Sequence, residues 1–269
     1  MTVATTAGQG SSLYVLAHQD DEYGCAAQIS RDAASGRTIA VIFLTDGSTP
    51  AVSESVRTVE SRAVLSSLGV AAADVHVVGA GLQIPSEALP ERIDDAYRGL
   101  RELVQSLELR SPLRIYAPAW EGGHPDHDAT HLAAARLARE LGVEQMCEVA
   151  LYNGFRRPGP FFRVLSFCDG ARVGPESGPP LSIREAIRYA LLCLRYTSQR
   201  RTWLGLFPGA FARLVTRRRH AIRLVSTDRP IRRPHEGSLY YERRWGFPYE
   251  RFVALTARFA PMEERAAAQ

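Results

Sequence analysis

Lysine is missing from this 269-residue chain, so all 33 of its basic residues are arginine. A protein without lysine forms no Schiff base with a carbonyl substrate and holds no pyridoxal phosphate through one. It also has neither the lysine of a Walker-A phosphate-binding loop nor a Ser-Lys dyad. These four kinds of chemistry are therefore excluded.

Cysteine is scarce, and long apolar runs are missing. The four cysteines, Cys25, Cys147, Cys168 and Cys193, form no CxxC pair. This pattern predicts free thiols in a reducing compartment and excludes a zinc ribbon or a disulfide framework. Met1 to Ser12 is polar and lacks a basic region followed by an apolar core, so we do not expect a secretory signal there. We expect the protein to be cytoplasmic.

Charge is distributed unevenly along the chain. Residues 1–154 hold 11 arginines against 20 acidic residues, whereas residues 155–269 hold 22 arginines against nine. The basic second half indicates an anionic partner, which is a phosphate-bearing substrate, a membrane surface or nucleic acid. A solvated arginine surface explains the same composition equally well. Nucleic acid is the least favoured partner, because Arg217–Arg219, Arg232 and Arg233 accompany no recognisable reading element.

Strand-like and helix-like segments alternate through the first half. This alternation predicts an α/β fold with a Rossmann-like, mainly parallel sheet covered by helices on both faces. In such sheets, ligands bind at the carboxyl ends of the strands. The predicted strands are Leu13–Ala17, Thr38–Leu44, Val75–Val78, Leu113–Ala117 and Val149–Tyr152, and the predicted helices are Tyr23–Ser35, Ser53–Leu68, Pro90–Leu107 and Asp128–Leu141.

The second half is less regular. Residues 154–180 are rich in Pro and Gly and predict loops, and Ile183–Tyr196 is an amphipathic helix. Trp203–Phe211 is interpreted as a packed helix, a lid or a membrane-contacting patch. A strand, a turn at Gly246–Pro248 and a closing helix are expected within Ser238–Arg258. We expect residues 1–155 to form an α/β metal-site core. Residues 156–269 are expected to form an irregular, arginine-rich extension that packs on the same domain as a substrate lid.

Two clusters of histidines and carboxylates follow predicted strands. His18, Asp20, Asp21 and Glu22 come directly after the first strand, and the sequence His124-Pro125-Asp126-His127 lies a few residues beyond Leu113–Ala117. Buried charges are costly unless they are paired or bound to a metal. The two clusters therefore predict one metal site. The alternative is that Asp20 and Asp21 cap the following helix and that His124 is a loop residue.

The residue types assign roles within this site. His18, Asp21 and His127 make a set of two histidines and one carboxylate, which leaves a position open for water on a catalytic zinc. Asp20 suits a general base, and His124 suits a group that polarises a carbonyl or protonates a leaving group. The rival zinc motif is His127-x-x-x-His131, which lacks the glutamate of a zincin. Gly79-Ala80-Gly81 is an incomplete dinucleotide fingerprint.

The sequence Ala17-His18-Gln19-Asp20-Asp21-Glu22, together with His124-Pro125-Asp126-His127, resembles the PIG-L/LmbE family of zinc-dependent N-acetylglucosaminyl deacetylases. The resemblance covers about residues 12–155 well and the remainder loosely. Four further segments agree with it: Thr45-Asp46-Gly47, Arg57-x-x-Glu60, Leu68-Gly69-Val70 and Tyr196-Thr197-Ser198-Gln199.

The resemblance implies that His18, Asp21 and His127 are zinc ligands, that Asp20 is the general base and that His124 faces the tetrahedral centre. It also implies substrate contacts by Arg57 and Glu22, although Glu22 also suits the start of the following helix. Asp126 would hold a histidine in the right tautomer from the second coordination sphere. Two positions depart from the family pattern: Gln19 replaces a common proline, and Gly122 replaces an aromatic residue of some relatives.

The implied activity is hydrolysis of the acetamide of an N-acetylated amino sugar, such as an N-acetylglucosaminyl conjugate, to acetate and a free amine. One Zn²⁺ per chain is expected, with other divalent ions as the alternative. The expected partner is a small amino-sugar conjugate on an anionic carrier, phosphorylated or lipid-linked, with transient membrane contact. The alternatives are a non-catalytic sugar-conjugate binding protein and a different zinc amidohydrolase. The sequence leaves the oligomeric state open.

Overall fold

The structure is a computed structural model that describes residues 10–168 and 174–261. Residues 1–9 of the N-terminal segment considered for a signal lie outside the described residues. So do residues 169–173 of the predicted loop region and residues 262–269. No helix in the described part of the chain combines the length and the apolar character that crossing a bilayer requires.

A six-stranded sheet forms the centre of the molecule, with the strand order β3-β2-β1-β4-β5-β8. Its first five strands run parallel, and β8 pairs antiparallel with β5 at one edge. The predicted α/β fold with a mainly parallel sheet is confirmed. The strands are β1 (Ser11–Leu16), β2 (Thr38–Phe43), β3 (Val75–Val77), β4 (Leu113–Pro118), β5 (Gln145–Val149), β6 (Tyr152–Asn153), β7 (Arg163–Val164) and β8 (Ile222–Ser226).

Helices cover both faces of this sheet. Alternate residues of β1 point to opposite sides, so Tyr14 and Leu16 pack in one core while Leu13 and Val15 pack in the other. The first core includes residues of α1, α2, α6 and α7, and the second includes residues of α4, α5 and α9. The helices are α1 (Ala26–Ala34), α2 (Glu54–Ser67), α3 (Val78–Leu82), α4 (Leu89–Ser106), α5 (Pro125–Glu140), α6 (Ile183–Ala190), α7 (Arg200–Arg217), α8 (Tyr240–Trp245) and α9 (Tyr249–Thr256).

The second half completes the sheet, because β8 lies within it. This strand was not predicted, since Arg223 interrupts its apolar pattern. The structure buries Arg223 to 1% exposure and pairs it with Glu148 of β5 at 2.7 Å. The proposed division between residues 155 and 156 stays a prediction, although residues from both sides of it share the first core.

The prediction of a strand within Ser238–Arg258 is wrong. Two helices, α8 and α9, occupy this segment, and Gly246 between them has a φ of 61°. The Glu242 carboxylate accepts a hydrogen bond from the Leu239 backbone N–H at 2.6 Å. This side chain therefore caps α8 and fixes a helix where the apolar residues indicated a strand.

Candidate metal centre

The two predicted clusters meet at the carboxyl edge of the sheet. The first cluster follows β1, and the second begins α5 after β4. Since β1 and β4 pair in parallel, their ends lie side by side and bring residues 109 positions apart in the sequence, His18 and His127, into contact. The structure thus places His18, Asp21 and His127 within one buried group.

The three donor atoms of this group converge on one point. His18 Nδ1 lies 3.2 Å from His127 Nε2, and His127 Nε2 lies 3.1 Å from Asp21 Oδ1. His18 Nδ1 lies 3.7 Å from Asp21 Oδ2. Two imidazole nitrogens and a carboxylate are zinc ligands, and three of them leave one tetrahedral position open. Two lone pairs at this separation repel unless a cation or a proton lies between them. The donor set therefore fits a divalent metal ion.

Asp126 fixes the tautomer of His18. Its carboxylate accepts a hydrogen bond from His18 Nε2 at 2.8 Å, which leaves the lone pair on Nδ1. Burial acts to lower the pKa of His18, but the hydrogen bonds to Asp126 and Asp21 raise it to about 10. The negative charge that favours a proton on this ring equally favours a metal cation at Nδ1.

Backbone groups hold Asp126 in turn. Its carboxylate accepts from the backbone N–H of Glu87 at 2.6 Å and of Leu89 at 3.1 Å. Burial acts to raise the pKa of Asp126, but His124, His18 and the Glu87 backbone N–H lower it below its ordinary value. Asp126 therefore stays ionised as the hydrogen-bond acceptor of His18.

His124 presents the opposite tautomer. Its Nδ1 accepts a hydrogen bond from the Asp126 backbone N–H at 3.1 Å, so the proton of the neutral ring is on Nε2. Burial lowers the pKa of His124 well below its ordinary value, and the charges of His18 and His127 add to this effect. The ring centroids of His124 and His18 are 4.7 Å apart. His124 thus offers a neutral N–H donor beside the three-residue group.

Asp20 has an unusual backbone conformation, with a φ of 146° and a ψ of −11°. A non-glycine residue in such a region costs about 1–3 kcal/mol and is commonest at functional sites. Arg57 Nη2 donates to Asp20 Oδ1 at 2.8 Å. Burial raises the pKa of Asp20, and the Arg57 guanidinium opposes this rise. The Asp20 carboxylate lines the cavity next to the cluster, and Arg57 partly balances its charge.

Arg57 also binds two backbone carbonyls. It donates to Gly47 at 2.7 Å and to Gln19 at 2.9 Å. Gly47 has a φ of 69°, and a Cβ at this position would lie 2.0 Å from Gln19 Oε1. The Thr45-Asp46-Gly47 segment therefore needs glycine where the loop after β2 meets the first cluster. Arg57 lines the cavity, but its guanidinium is largely occupied by these contacts and by Asp20.

Glu22 lies away from the cavity, in contrast to the expected substrate contact. It is fully buried, and its carboxylate accepts from Ser61 Oγ, from Tyr196 Oη at 3.0 Å and from the Asp20 backbone N–H at 3.0 Å. Burial raises its pKa to about 7. The short 3₁₀ helix over Asp21–Cys25 turns this side chain inward. Glu22 consequently supports the backbone of Asp20.

Two of the weaker sequence segments contact each other. Glu60 accepts from Thr197 Oγ1 at 2.6 Å and from the Ser198 backbone N–H at 2.8 Å. Tyr196 reaches Glu22, as described above. The segment Tyr196–Gln199 thus ties the start of α7 to α2 and to the first cluster.

His131 lies outside the three-residue group, although it is one turn from His127 on α5. Its Nδ1 lies 3.1 Å from the Pro118 carbonyl oxygen and 3.5 Å from Glu148. Among the described residues, it belongs to neither set of side chains that could hold a metal. The zincin-like alternative is therefore not supported by the geometry.

A cavity of about 260 Å³ opens over the cluster. Most of its far wall comes from the second half of the chain, which we expected to act as a substrate lid. Trp245 donates to Glu87 Oε1 at 2.7 Å and packs against His124 with ring centroids 4.7 Å apart. The other aromatic and aliphatic residues of this wall are Leu151, Tyr152, Val164, Leu165, Trp203 and Leu206.

Residues 13–138 match the family described as PIG-L: GlcNAc-PI de-N-acetylase. Among curated proteins, no sequence matches the chain. A solved structure of a deacetylase from the teicoplanin biosynthesis pathway, in a complex with bog, is similar with a TM-score of 0.55 at 18% identity, over 80% of this chain and 96% of that chain. The N,N'-diacetylchitobiose deacetylase of Pyrococcus horikoshii is also similar, with a TM-score of 0.55 at 15% identity, over 81% of this chain and 85% of that chain.

At these low sequence identities, the similarity to the two solved structures supports the fold of this chain and nothing further. The family match covers both histidine–carboxylate clusters and the sheet edge that joins them. Residues 13–138 of this chain therefore form a PIG-L family domain.

Proposed function

We propose that this chain is a metal-dependent de-N-acetylase that hydrolyses the acetamide of an N-acetylated amino sugar. One observation carries the proposal: His18, Asp21 and His127 converge, and Asp20 and His124 line the same cavity beside them. A ligand set, a carboxylate base and a neutral N–H donor are the parts that hydrolysis of an unactivated amide requires.

A divalent cation held by His18, Asp21 and His127, most simply zinc, would supply Lewis acidity to the reaction. Asp20 accepts a proton from the attacking water, and Arg57 holds the carboxylate in place. His124 donates its Nε2 hydrogen towards the carbonyl oxygen as negative charge develops there. The new C–O bond forms at the acetamide carbon and the C–N bond breaks. The proton passes to the amine nitrogen, so the products are acetate and the free amino sugar.

The amino-sugar conjugate is proposed to carry an anionic group. Arg244 lines the cavity, is exposed and forms no ion pair with a carboxylate among the described residues. A phosphorylated or lipid-linked carrier would place negative charge near this guanidinium. Faster turnover of phosphorylated than of neutral N-acetylglucosaminides at low salt would support this assignment, and equal turnover would contradict it.

A reducing, cytoplasmic location is part of the proposal. The four cysteines are free and buried, which is typical of proteins from reducing compartments. Fractionation of cells that produce the untagged protein tests it, since recovery outside the cytoplasm would contradict the assignment.

Acetate release over a panel of N-acetylglucosaminyl conjugates tests the activity itself. Asp20→Asn is expected to lower turnover by about 10²–10⁴-fold while the bound metal stays unchanged. Asp95→Asn, on the exposed side of α4, is the control and should retain turnover. Full activity of Asp20→Asn with metal bound would show that the base is assigned wrongly. Binding of a conjugate without acetate release would instead favour a sugar-conjugate binding protein.

A further inference from the structure

Helix α6 and the 3₁₀ helix after it, Leu191–Arg195, expose a row of aliphatic side chains. Here we call Ile183, Ile187, Leu191 and Leu194 the α6 stripe, and their exposed fractions are 47%, 39%, 42% and 67%. The residues recur every three or four positions and so share one side of the helix. The opposite side, with Ala186, Tyr189, Ala190 and Cys193, is buried. The stripe is therefore a second apolar face that the fold leaves uncovered among the described residues.

Leu204 of α7 belongs to the same region. It is 80% exposed, the largest exposed fraction among the large apolar residues that the structure describes. Helix α7 packs against α6 and against the 3₁₀ helix that follows it. Trp203, the residue before Leu204, is buried and lines the cavity, as does Leu206. The sequence left a packed helix, a lid and a membrane contact open for Trp203–Phe211. The structure places this segment in α7, with Trp203 in the cavity wall and Leu204 facing outward.

Exposed arginines surround the stripe. None of them lies within ion-pair distance of a carboxylate among the described residues. These arginines are Arg184, Arg188, Arg195, Arg200 and Arg201. The acidic residues of the region are already engaged: Glu185 accepts from the Ser182 backbone N–H at 2.7 Å, and Glu60 accepts from Thr197 and Ser198. The surface thus combines aliphatic side chains with an excess of positive charge.

We propose that the α6 stripe, Leu204 and these five arginines form a docking surface for an anionic phospholipid bilayer. Amphipathic helices with aliphatic and arginine faces lie in the membrane interface, where the apolar side chains enter the acyl boundary and the arginines meet lipid phosphates. Charge distinguishes this occupant from a second copy of the chain. A symmetric contact between two such surfaces would bring five arginines from each copy together, and these outnumber the carboxylates Glu60 and Glu185.

Docking in this orientation places the bilayer beside one wall of the cavity, because Leu204 and Trp203 are consecutive. A lipid-linked amino sugar would then reach the metal centre without leaving the membrane surface. This consequence rests on the proposed function, whereas the docking itself does not.

Flotation with vesicles tests the docking surface without any assay of activity. The full chain is mixed with vesicles of phosphatidylcholine alone or of phosphatidylcholine with phosphatidylglycerol, at low and high salt. We expect binding to the anionic vesicles, with affinity that falls as salt rises. Arg184→Gln/Arg188→Gln/Arg195→Gln should weaken this binding about tenfold or more. Leu194→Gln/Leu204→Gln should weaken it by a similar factor and at both salt concentrations.

Matched variants on the opposite face of the sheet serve as controls. Arg92→Gln/Arg98→Gln/Arg101→Gln removes three exposed arginines from α4, and Val253→Gln changes a 41% exposed residue of α9. Both should float with anionic vesicles as the unchanged protein does. Equal losses in the control and stripe variants would overturn the proposal, and so would equal binding to neutral and anionic vesicles. A dimer in gel filtration that the stripe variants abolish, without vesicle binding, would assign the surface to a second copy and also overturn it.

Discussion

His127 and His131 lie one helical turn apart on α5, and each belongs to a separate group of buried charged side chains. The charges of these two groups are balanced differently. In the first, Asp21 contacts His18 and His127, and no arginine forms an ion pair with it among the described residues. In the second, Glu148 contacts His131 at 3.5 Å, Arg223 at 2.7 Å and Arg229 at 2.7 Å. Arginines of the chain neutralise Glu148, whereas Asp21 has no arginine partner among the described residues, so its group fits a cation from solution.

The comparison shows that the charged neighbours of a histidine, and not its spacing from another histidine, decide what it can do. His127 and His131 have the one-turn spacing of a zinc-binding helix. Arg223 and Arg229 already satisfy the carboxylate next to His131 and lower the pKa of that histidine further, so its cluster is structural.

Replacement of His18 by alanine should abolish metal binding. The change removes one of three converging donors, so elemental analysis after gel filtration should find about one metal ion per chain in the unchanged protein and essentially none in His18→Ala. His131→Ala is the matched control and should keep its metal. A folded wild-type protein that takes up no metal, even when zinc is supplied, would show that the group of His18, Asp21 and His127 is structural, as the group around Glu148 is.

Replacement of Glu148 by leucine should destabilise the fold by about 3–5 kcal/mol, because it leaves Arg223 and Arg229 without their carboxylate. The free energy of unfolding in urea measures this effect. Glu140→Gln, which removes an exposed carboxylate that pairs with Arg136 on α5, should change the same quantity by less than about 1 kcal/mol. Similar values for both variants would mean that the Glu148 cluster does not hold β8 on the sheet.

The stability of the protein should depend on His131 between pH 6.5 and about 4. Burial lowers the pKa of His131 from 6.5 to about 4, so the unfolded chain binds a proton in this window while the folded chain does not. Stability is therefore lost as the pH falls, by about 3 kcal/mol for this one group. His131→Gln should show a shallower decline than the wild type in urea titrations over this range. Parallel curves would contradict the neutral state of His131.

Asp126→Asn should weaken metal affinity by about 10–100-fold without abolishing binding. The Glu87 and Leu89 backbone N–H groups bind different oxygens of Asp126, so asparagine keeps an acceptor for only one of them and loses the charge that supports His18. Competition with a chelator of known zinc affinity measures the change. Unchanged affinity would show that His18 keeps its tautomer without the carboxylate.

The sheet and the meeting of the two histidine–carboxylate clusters could be predicted from sequence for a common physical reason. Continuous apolar runs at β1 and β2 left little choice but buried parallel strands, and the ends of such strands must meet. The start of α5 was placed three residues late, at Asp128. His124 provides the N-cap, and Pro125 starts the helix, so a side chain interpreted as purely functional also begins the helix.

The residues of the cavity wall could not be predicted from the sequence in the same way. Trp245 reaches His124, and Arg244 reaches the cavity, from a helix more than a hundred residues away. No periodicity encodes such a contact, since it depends on how the second half folds back over the sheet. Glu22 illustrates the reverse error: its place in the motif indicated a substrate contact, yet three hydrogen bonds turn it into the interior.

The cavity is lined from two distant parts of the chain, and this arrangement separates chemistry from choice of substrate. His18, Asp21 and His127 lie together at the sheet edge, while Trp203, Leu206 and Arg244 come from α7 and α8. Exchanges among these three positions can reshape the cavity and leave the ligand geometry intact. Sequence changes in the outer helices can therefore alter which molecules the cavity accepts, while the buried histidine–carboxylate group stays unchanged.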